Sequence, residues 1–274
     1  MTDSTSPKLP PLFESLTWLT PLSEERAEHL VTFLSDPAPT EVLDMGCGWG
    51  ELLLRALASA PQARGRGVDS ASVFIDRAKQ QALKRWLLDR ATFDLMPGLE
   101  AQDRPSDAVI CIGASQIWGP PVEAAQPLDY AAALRALRAL VLPGGRLVYG
   151  EAIWSAAPHP AATAPLAGRD DEYLTHDALR EQIRAAGFEV VDDDQASLQE
   201  WDVFEAGYRD RFTRWLAAHD ADHPAAEQVR RQYEEQRAAY EEGYRGVLGM
   251  AYFCLRGSRS PPRFCSLGEN ELIW

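Results

Sequence analysis

Val42-Leu43-Asp44-Met45-Gly46-Cys47-Gly48-Trp49-Gly50 is the stretch that decides the fold. Residues 41–45 read as a short apolar strand, and three glycines at alternate positions lead into a helix predicted over 51–59. Glycine reaches positive φ at no steric cost and lets a ligand approach the backbone closely. The start of a helix adds N–H groups that have no partner inside the helix. A dinucleotide-binding fold directs such groups at a pyrophosphate. Here Asp44 stands two residues before the first glycine, where its charge repels a diphosphate, so the loop suits a cationic ligand or an amino group instead. A tight turn that binds nothing is the plain alternative for Asp44 and Gly46.

Upstream of the loop, Ser23 followed by Glu24 and Glu25 and by apolar Leu30, Val31 and Leu34 reads as an N-capped helix with acids in its first turn, ended by Pro37 and Pro39. Downstream, strand patterns at 65–69, 91–95, 108–112, 146–149 and 188–191 alternate with helical patterns at 73–88, 131–142 and 177–186. Repeated strand–helix–strand units imply a mostly parallel sheet between two helical layers. The alternation breaks after residue 200, where two helical segments, roughly 201–218 and 224–242, precede a last apolar strand at 247–255. A strand that returns after a helical insertion suggests an antiparallel addition to the sheet. The expected organisation is a tail with capping helices over 1–40, one α/β domain over 41–256 with a helical lid at 200–245, and an irregular tail over 257–274.

Composition excludes several classes. The 274 residues carry 27 Lys+Arg against 41 Asp+Glu, a net charge of −14, which disfavours nucleic acid and anionic membrane surfaces as partners. Half of that excess, −7, falls in residues 192–246, whereas 41–191 carry −4. A solvated helical face explains such a run, and an acidic lid over a site for a cationic or neutral ligand is the sharper reading. No apolar run reaches membrane-spanning length, and the polar, Pro-rich start lacks signal-peptide order, so a cytoplasmic protein is expected. Cys47, Cys111, Cys254 and Cys265 are too scattered for a disulfide framework or a zinc site, and no metal is expected. His29, His159, His176, His219 and His223 show no partner spacing that singles one out.

Further polar residues sit where strands end. Asp69, next to Ser70, is positioned to accept the hydroxyls of an adenosine ribose, with a helix N-cap as the alternative. Asp94 and Leu95 follow the third strand, where a polar group reaches an adenine edge or simply meets solvent. Ile112 and Gly113 end the fourth strand beside the switch-point crevice, and Leu142-Pro143-Gly144-Gly145 turns into the fifth.

Taken in order and spacing, the 44–50 loop, Asp69, Asp94, the 107–113 strand and the 142–145 turn resemble a class I S-adenosylmethionine-dependent methyltransferase over about residues 40–256. The resemblance implies a seven-stranded Rossmann-like sheet of order 3-2-1-4-5-7-6 with strand 7 antiparallel, which agrees with the late strand. It implies S-adenosyl-L-methionine as cofactor and S-adenosyl-L-homocysteine as product. The loop residues Gly46, Cys47, Gly48 and Gly50 would back the methionine part, with Asp44 near its amino group. Asp69 would hold the ribose, and Asp94 with Leu95 the adenine. Gly150-Glu151-Ala152-Ile153-Trp154 and Glu200-Trp201-Asp202-Val203-Phe204-Glu205 are similar to stretches of a bacterial subgroup, which supports a small-molecule acceptor.

Methyl transfer from a sulfonium needs alignment in a dry pocket rather than a metal. Glu151 and Gln116, read as lying just past strand ends, are the candidate catalytic groups. Trp118, Trp154, Tyr173, Trp201, Glu205, Tyr208 and Tyr244 are the candidate acceptor pocket, with packing inside the lid as the alternative for each aromatic residue. The competing functional class is a catalytically silent cofactor-binding module. A nicotinamide oxidoreductase is disfavoured by Asp44 and by the glycine spacing.

Overall fold

The computed structural model describes residues 7–97, 104–119 and 127–258. Strand β1 (Glu41–Met45) is buried at Val42, Leu43 and Met45, as a strand covered on both faces must be. It pairs in parallel with β2 (Arg64–Asp69) on one side and β4 (Ser106–Ile112) on the other. β2 continues to β3 (Ala91–Leu95), and β4 to β5 (Val141–Trp154). β7 (Leu248–Gly257) runs antiparallel between β5 and β6 (Phe188–Gln195), which gives the order β3-β2-β1-β4-β5-β7-β6. Successive strands are laid down outward in one direction from β1 and, after β3, in the other from β4, so the crevice beyond the C-terminal ends of β1 and β4 is the place where such sheets bind ligands.

Alternate strand residues feed two cores. Val42, Ala108, Ile110 and Val148 pack under α1 (Glu24–Ser35), α2 (Glu51–Ser59) and α3 (Ser72–Lys84). Leu43, Val109, Leu147 and Tyr149 pack under α4 (Tyr130–Leu140) and α6 (His176–Ala185), with the single turn α5 (Pro160–Thr163) between those two in sequence. The insertion forms α7 (Leu198–Ala217) and α8 (Ala226–Ala238), the latter running into a π-helical turn at Ala239–Tyr244. Phe212, Trp215, Ala226 and Val229 give this hairpin a small core of its own. Ser23 caps α1 as expected, its Oγ accepting the Arg26 N–H, and Ser197 with Glu200 forms a capping box on α7.

Four expectations change. The helix expected over 73–88 stops at Lys84, because Trp86 turns left-handed (φ 58°) and the Leu87 N–H returns to the Ala82 carbonyl. The helix expected to reach 142 ends at Leu140. The fifth strand runs on to Trp154, since its antiparallel pairing with β7 persists to Trp154 opposite Leu248. Glu151 and Trp154 therefore lie inside a strand, not beyond one. β6 extends to Gln195, where it still pairs with β7 at Ala251; Asp192 and Asp194 face water and Asp193 pairs with Arg180. Cys47, Cys111 and Cys254 are buried free thiols. Cys265 and most of the C-terminal tail lie outside the described residues.

Candidate active site

The glycine loop closes on itself. The N–H groups of Gly46 and Cys47 both donate to the Val68 carbonyl (2.9 and 3.0 Å), Gly50 N–H donates to Cys47 O (2.8 Å), and Gly48 N–H donates to Asp69 Oδ2 (2.9 Å). These four amides are spent inside the protein, so they do not form a phosphate cradle. Gly46 (φ 73°) has no room for a side chain, since a Cβ there would stand 2.4 Å from Ala114 Cβ. Gly50 backs onto Phe93 in the same way, with a Cβ-to-ring approach of 2.5 Å, and shapes the turn from behind. Asp69 Oδ1 accepts the Ala71 N–H (2.8 Å), so this one carboxylate holds both the glycine loop and the start of α3.

The loop opens onto a cavity of about 530 Å³ at the ends of β1, β2, β4 and β5. One wall holds Asp44, Gly46, Cys47, Gly48, Asp69 and Ser70. The opposite wall holds Ile112, Gly113, Gln116 and Glu151, closed by Trp201 and Phe204 of α7 and by Met250 of β7. Residues 17–22 form a roof that the sequence reading missed. The Trp49 indole donates to Thr17 O (2.8 Å), and the Tyr252 hydroxyl donates to Pro21 O (2.8 Å). Glu200 completes the attachment by accepting the Ser23 N–H (3.0 Å) and pairing with Arg26 (2.9 Å). The available signal was the apolar run Leu16-Thr17-Trp18-Leu19 ahead of a capped helix, too hydrophobic for a free tail. A larger cavity of about 940 Å³ adjoins this one, sharing Trp18, Thr20, Leu22 and Phe204, but it touches neither the glycine loop nor the ends of the parallel strands.

Two buried carboxyl groups face the smaller cavity. Asp44 is 4% exposed, and no donor among the described residues reaches its carboxylate. Burial, with the Asp69 charge second, pushes its pKa up to about 8. Glu151, 5% exposed, accepts N–H bonds from Ser115 (3.1 Å) and Ala152 (3.0 Å). Burial raises its pKa above the usual glutamate value, and those hydrogen bonds moderate the rise. Ser115 Oγ meets the Tyr149 hydroxyl at 2.7 Å, which fixes the backbone beneath Glu151.

Comparison with known proteins bears on the family. Residues 43–147 match the family model described as a methyltransferase domain. A methyltransferase of Geobacter sulfurreducens, described as dependent on S-adenosylmethionine and crystallised with S-adenosyl-L-homocysteine, superposes with a TM-score of 0.76 at 27% identity, covering 89% of this chain and 95% of that one. A Thiobacillus denitrificans protein of the same description, also holding S-adenosyl-L-homocysteine, gives 0.74 at 27% over 89% and 96%. The chain matches a class I S-adenosylmethionine-dependent methyltransferase in its fold, its 43–147 domain and the cofactor its neighbours hold. The uncharacterised Escherichia coli protein YjhP is similar too, 29% identical over 239 residues that span 86% of this chain and 92% of YjhP.

The cavity fits S-adenosylmethionine on three counts. Asp44 is a buried carboxylate that lacks a counter-charge, as an ammonium group requires. A carboxylate has about four acceptor positions, and the backbone uses two of those on Asp69. At Gly113 (φ 62°) nothing stands within 4 Å of where a Cβ would be, so any side chain there would occupy ligand space. Among the described residues no cluster of metal-ligating side chains occurs, and no helix is long and apolar enough to cross a membrane.

The remaining candidate residues stand elsewhere. Asp94 is paired with Arg66 (2.7 Å) and Leu95 is exposed, both on β3 outside the cavity wall. Trp118 packs against the α4 side of the sheet. Trp154 is buried beside Ala162 and Val247, its indole donating to Asp170 O (2.8 Å) and Tyr173 meeting its edge. Glu205 and Tyr244 bond to each other (2.6 Å) within the helical hairpin, and Tyr208 packs on Phe212. These five aromatic residues lie outside the lining of the 530 Å³ cavity, and Tyr208 lines a separate cavity with Phe212 and Gln236. Of the lid candidates, Trp201 faces the site, joined by Phe204.

Proposed function

We propose that this protein moves a methyl group from S-adenosyl-L-methionine to an oxygen or nitrogen atom of a small molecule by in-line displacement. The observation that carries the proposal is that one cavity of about 530 Å³ holds both halves of such a reaction: a donor wall around Asp44 and Asp69, and facing it an acceptor wall around Gln116 and Glu151. The bound cofactor supplies a methyl group already activated on a sulfonium. Asp44 pairs with the cofactor's amino group, and the free lone pairs of Asp69 receive its ribose hydroxyls. Cys47, Gly48, Ser70, Ile112 and Gly113 shape its bed. Glu151 takes the proton that the acceptor loses. Gln116, whose Nε2 donates to Gly113 O (3.3 Å), orients the acceptor next to the cofactor. Trp201, Phe204 and the 17–22 roof exclude water, which strengthens each of these polar contacts. A labelled-methyl transfer screen over amines, phenols and carboxylates, repeated with Asp69→Ala, tests the reading. Transfer in the screen that falls with the variant supports it, and transfer unchanged by the variant removes the ribose assignment.

A further inference from the structure

The charge lining the site is one-sided. Asp44, Glu51, Asp69 and Glu151 stand in the wall of the 530 Å³ cavity, and among the described residues no lysine, arginine or histidine does. Glu51 is neutralised by Arg55 (2.8 Å) and Arg85 (2.6 Å), whereas Asp69 and Glu151 each receive two backbone N–H groups and Asp44 receives none among the described residues. Asp44 and Glu151 are buried carboxyls that no cation among the described residues neutralises. S-adenosylmethionine carries one net positive charge and approaches the Asp44 side. That leaves Glu151, on the acceptor side, without a counter-ion. Burying an ionised carboxylate with no cation beside it costs several kcal/mol. The adjoining 940 Å³ cavity carries the same excess: Glu24, Glu25, Asp192, Asp194 and Glu200 line it against Arg26, which pairs with Glu200 and Asp194, and His29, which pairs with Asp192, while Glu24 pairs with Arg55 from outside the lining. Trp18, on which the Arg55 guanidinium stacks (4.5 Å), and Phe204 line both cavities, and Trp201 lines the smaller one.

Resting on the methyl-transfer reading above, we infer that the acceptor is an amine that enters as a cation along this acidic, aromatic passage and is deprotonated by Glu151. Negative potential in a cleft with low-dielectric walls concentrates cations, and indole faces bind ammonium groups. An alcohol or a carboxylate would leave Glu151 unneutralised or face it with a like charge. The step balances. One proton passes from the ammonium R–NH₃⁺ to the Glu151 carboxylate. The freed nitrogen lone pair forms the new N–C bond as the C–S bond breaks, and that bond's electron pair stays on sulfur, turning the sulfonium into a thioether. The product R–NH₂⁺–CH₃ leaves, and Glu151 returns its proton to water.

The test uses the full chain saturated with S-adenosyl-L-homocysteine and three probes of one skeleton: 2-phenylethylamine, 2-phenylethanol and phenylacetate. Calorimetry should show the amine binding at least about tenfold more tightly than the alcohol, with phenylacetate weakest. Glu151→Gln should remove that preference while S-adenosyl-L-homocysteine binding holds. Since Glu151 is buried, the surface pair Glu25→Gln with Asp192→Asn serves as a second probe and should weaken amine binding about two- to fivefold. Equal binding of amine and alcohol, a preference for phenylacetate, or no binding of any probe overturns the amine inference. Failure of S-adenosyl-L-homocysteine itself to bind overturns the underlying methyl-transfer reading instead, so the two failures are told apart.

Discussion

The two walls of the cavity are made differently. The wall proposed for the methyl donor comes from consecutive chain, residues 44–71, where one turn, one strand and one carboxylate secure each other through hydrogen bonds of 2.8–3.0 Å. The wall proposed for the acceptor is assembled from residues 17–22, Gln116, Glu151, Trp201, Phe204 and Met250, which meet only because the sheet and α7 bring them together. The local wall suits a ligand shared by many related proteins. The assembled wall is contributed by separate segments, each of which can vary on its own.

If the walls are separable, substitutions should divide between them. The largest effect is expected from Glu151→Gln, with transfer slowed about 10²–10⁴-fold, as for loss of a general base. Calorimetry should find its affinity for S-adenosyl-L-homocysteine within about twofold of the wild type, and a matching loss of affinity would show that the walls are coupled. Asp69→Ala should do the reverse, weakening that affinity about 10–100-fold through lost charge-assisted hydrogen bonds. For Asp44 the sign of the pH effect is fixed by its raised pKa. In the free protein its favourable contribution is complete below the ordinary value of 3.8 and is lost as pH rises through about 8. Thermal melts of the free Asp44→Asn protein should therefore exceed the wild type most at about pH 8 and converge with it near pH 4. Affinity of the wild type for S-adenosyl-L-homocysteine should climb with pH up to about 8, because Asp44 must lose a proton to meet the ammonium, and the variant should show no such climb.

A smaller change is expected at the roof. Trp49→Phe removes one hydrogen bond to Thr17, worth about 1 kcal/mol, and should speed release of S-adenosyl-L-homocysteine about fivefold in stopped-flow fluorescence. Smallest is Asp94→Asn, which stands outside the cavity and should change cofactor affinity less than about threefold.

The same division explains what the sequence made legible. Strand β1 and helix α2 were readable to the residue, because glycine spacing and apolar runs are local signals, and the 3-2-1-4-5-7-6 order was what the family resemblance implied. The late strand could be recognised as antiparallel because it follows an insertion with no strand. The acceptor side was harder. Glu151 was picked out on the premise that it lay past a strand end. It reaches the cavity from inside β5, a position set by pairing with β7 a hundred residues away. Trp118, Trp154, Tyr208 and Tyr244 have the composition of a pocket and the contacts of a core, and composition carries no direction. Trp86 could not be foreseen as a helix stop, since tryptophan seldom adopts positive φ.

The placement of β7 has a consequence for how the molecule is made. β6 touches the rest of the sheet only through β7, yet β7 is synthesised after the whole α7–α8 hairpin. During translation the first five strands can assemble as they emerge, while β6 waits with both edges open until the last strand slots between it and β5. Met250 and Tyr252 belong to that same strand, so the cavity wall and the anchor of its roof cannot be complete before β7 is in place.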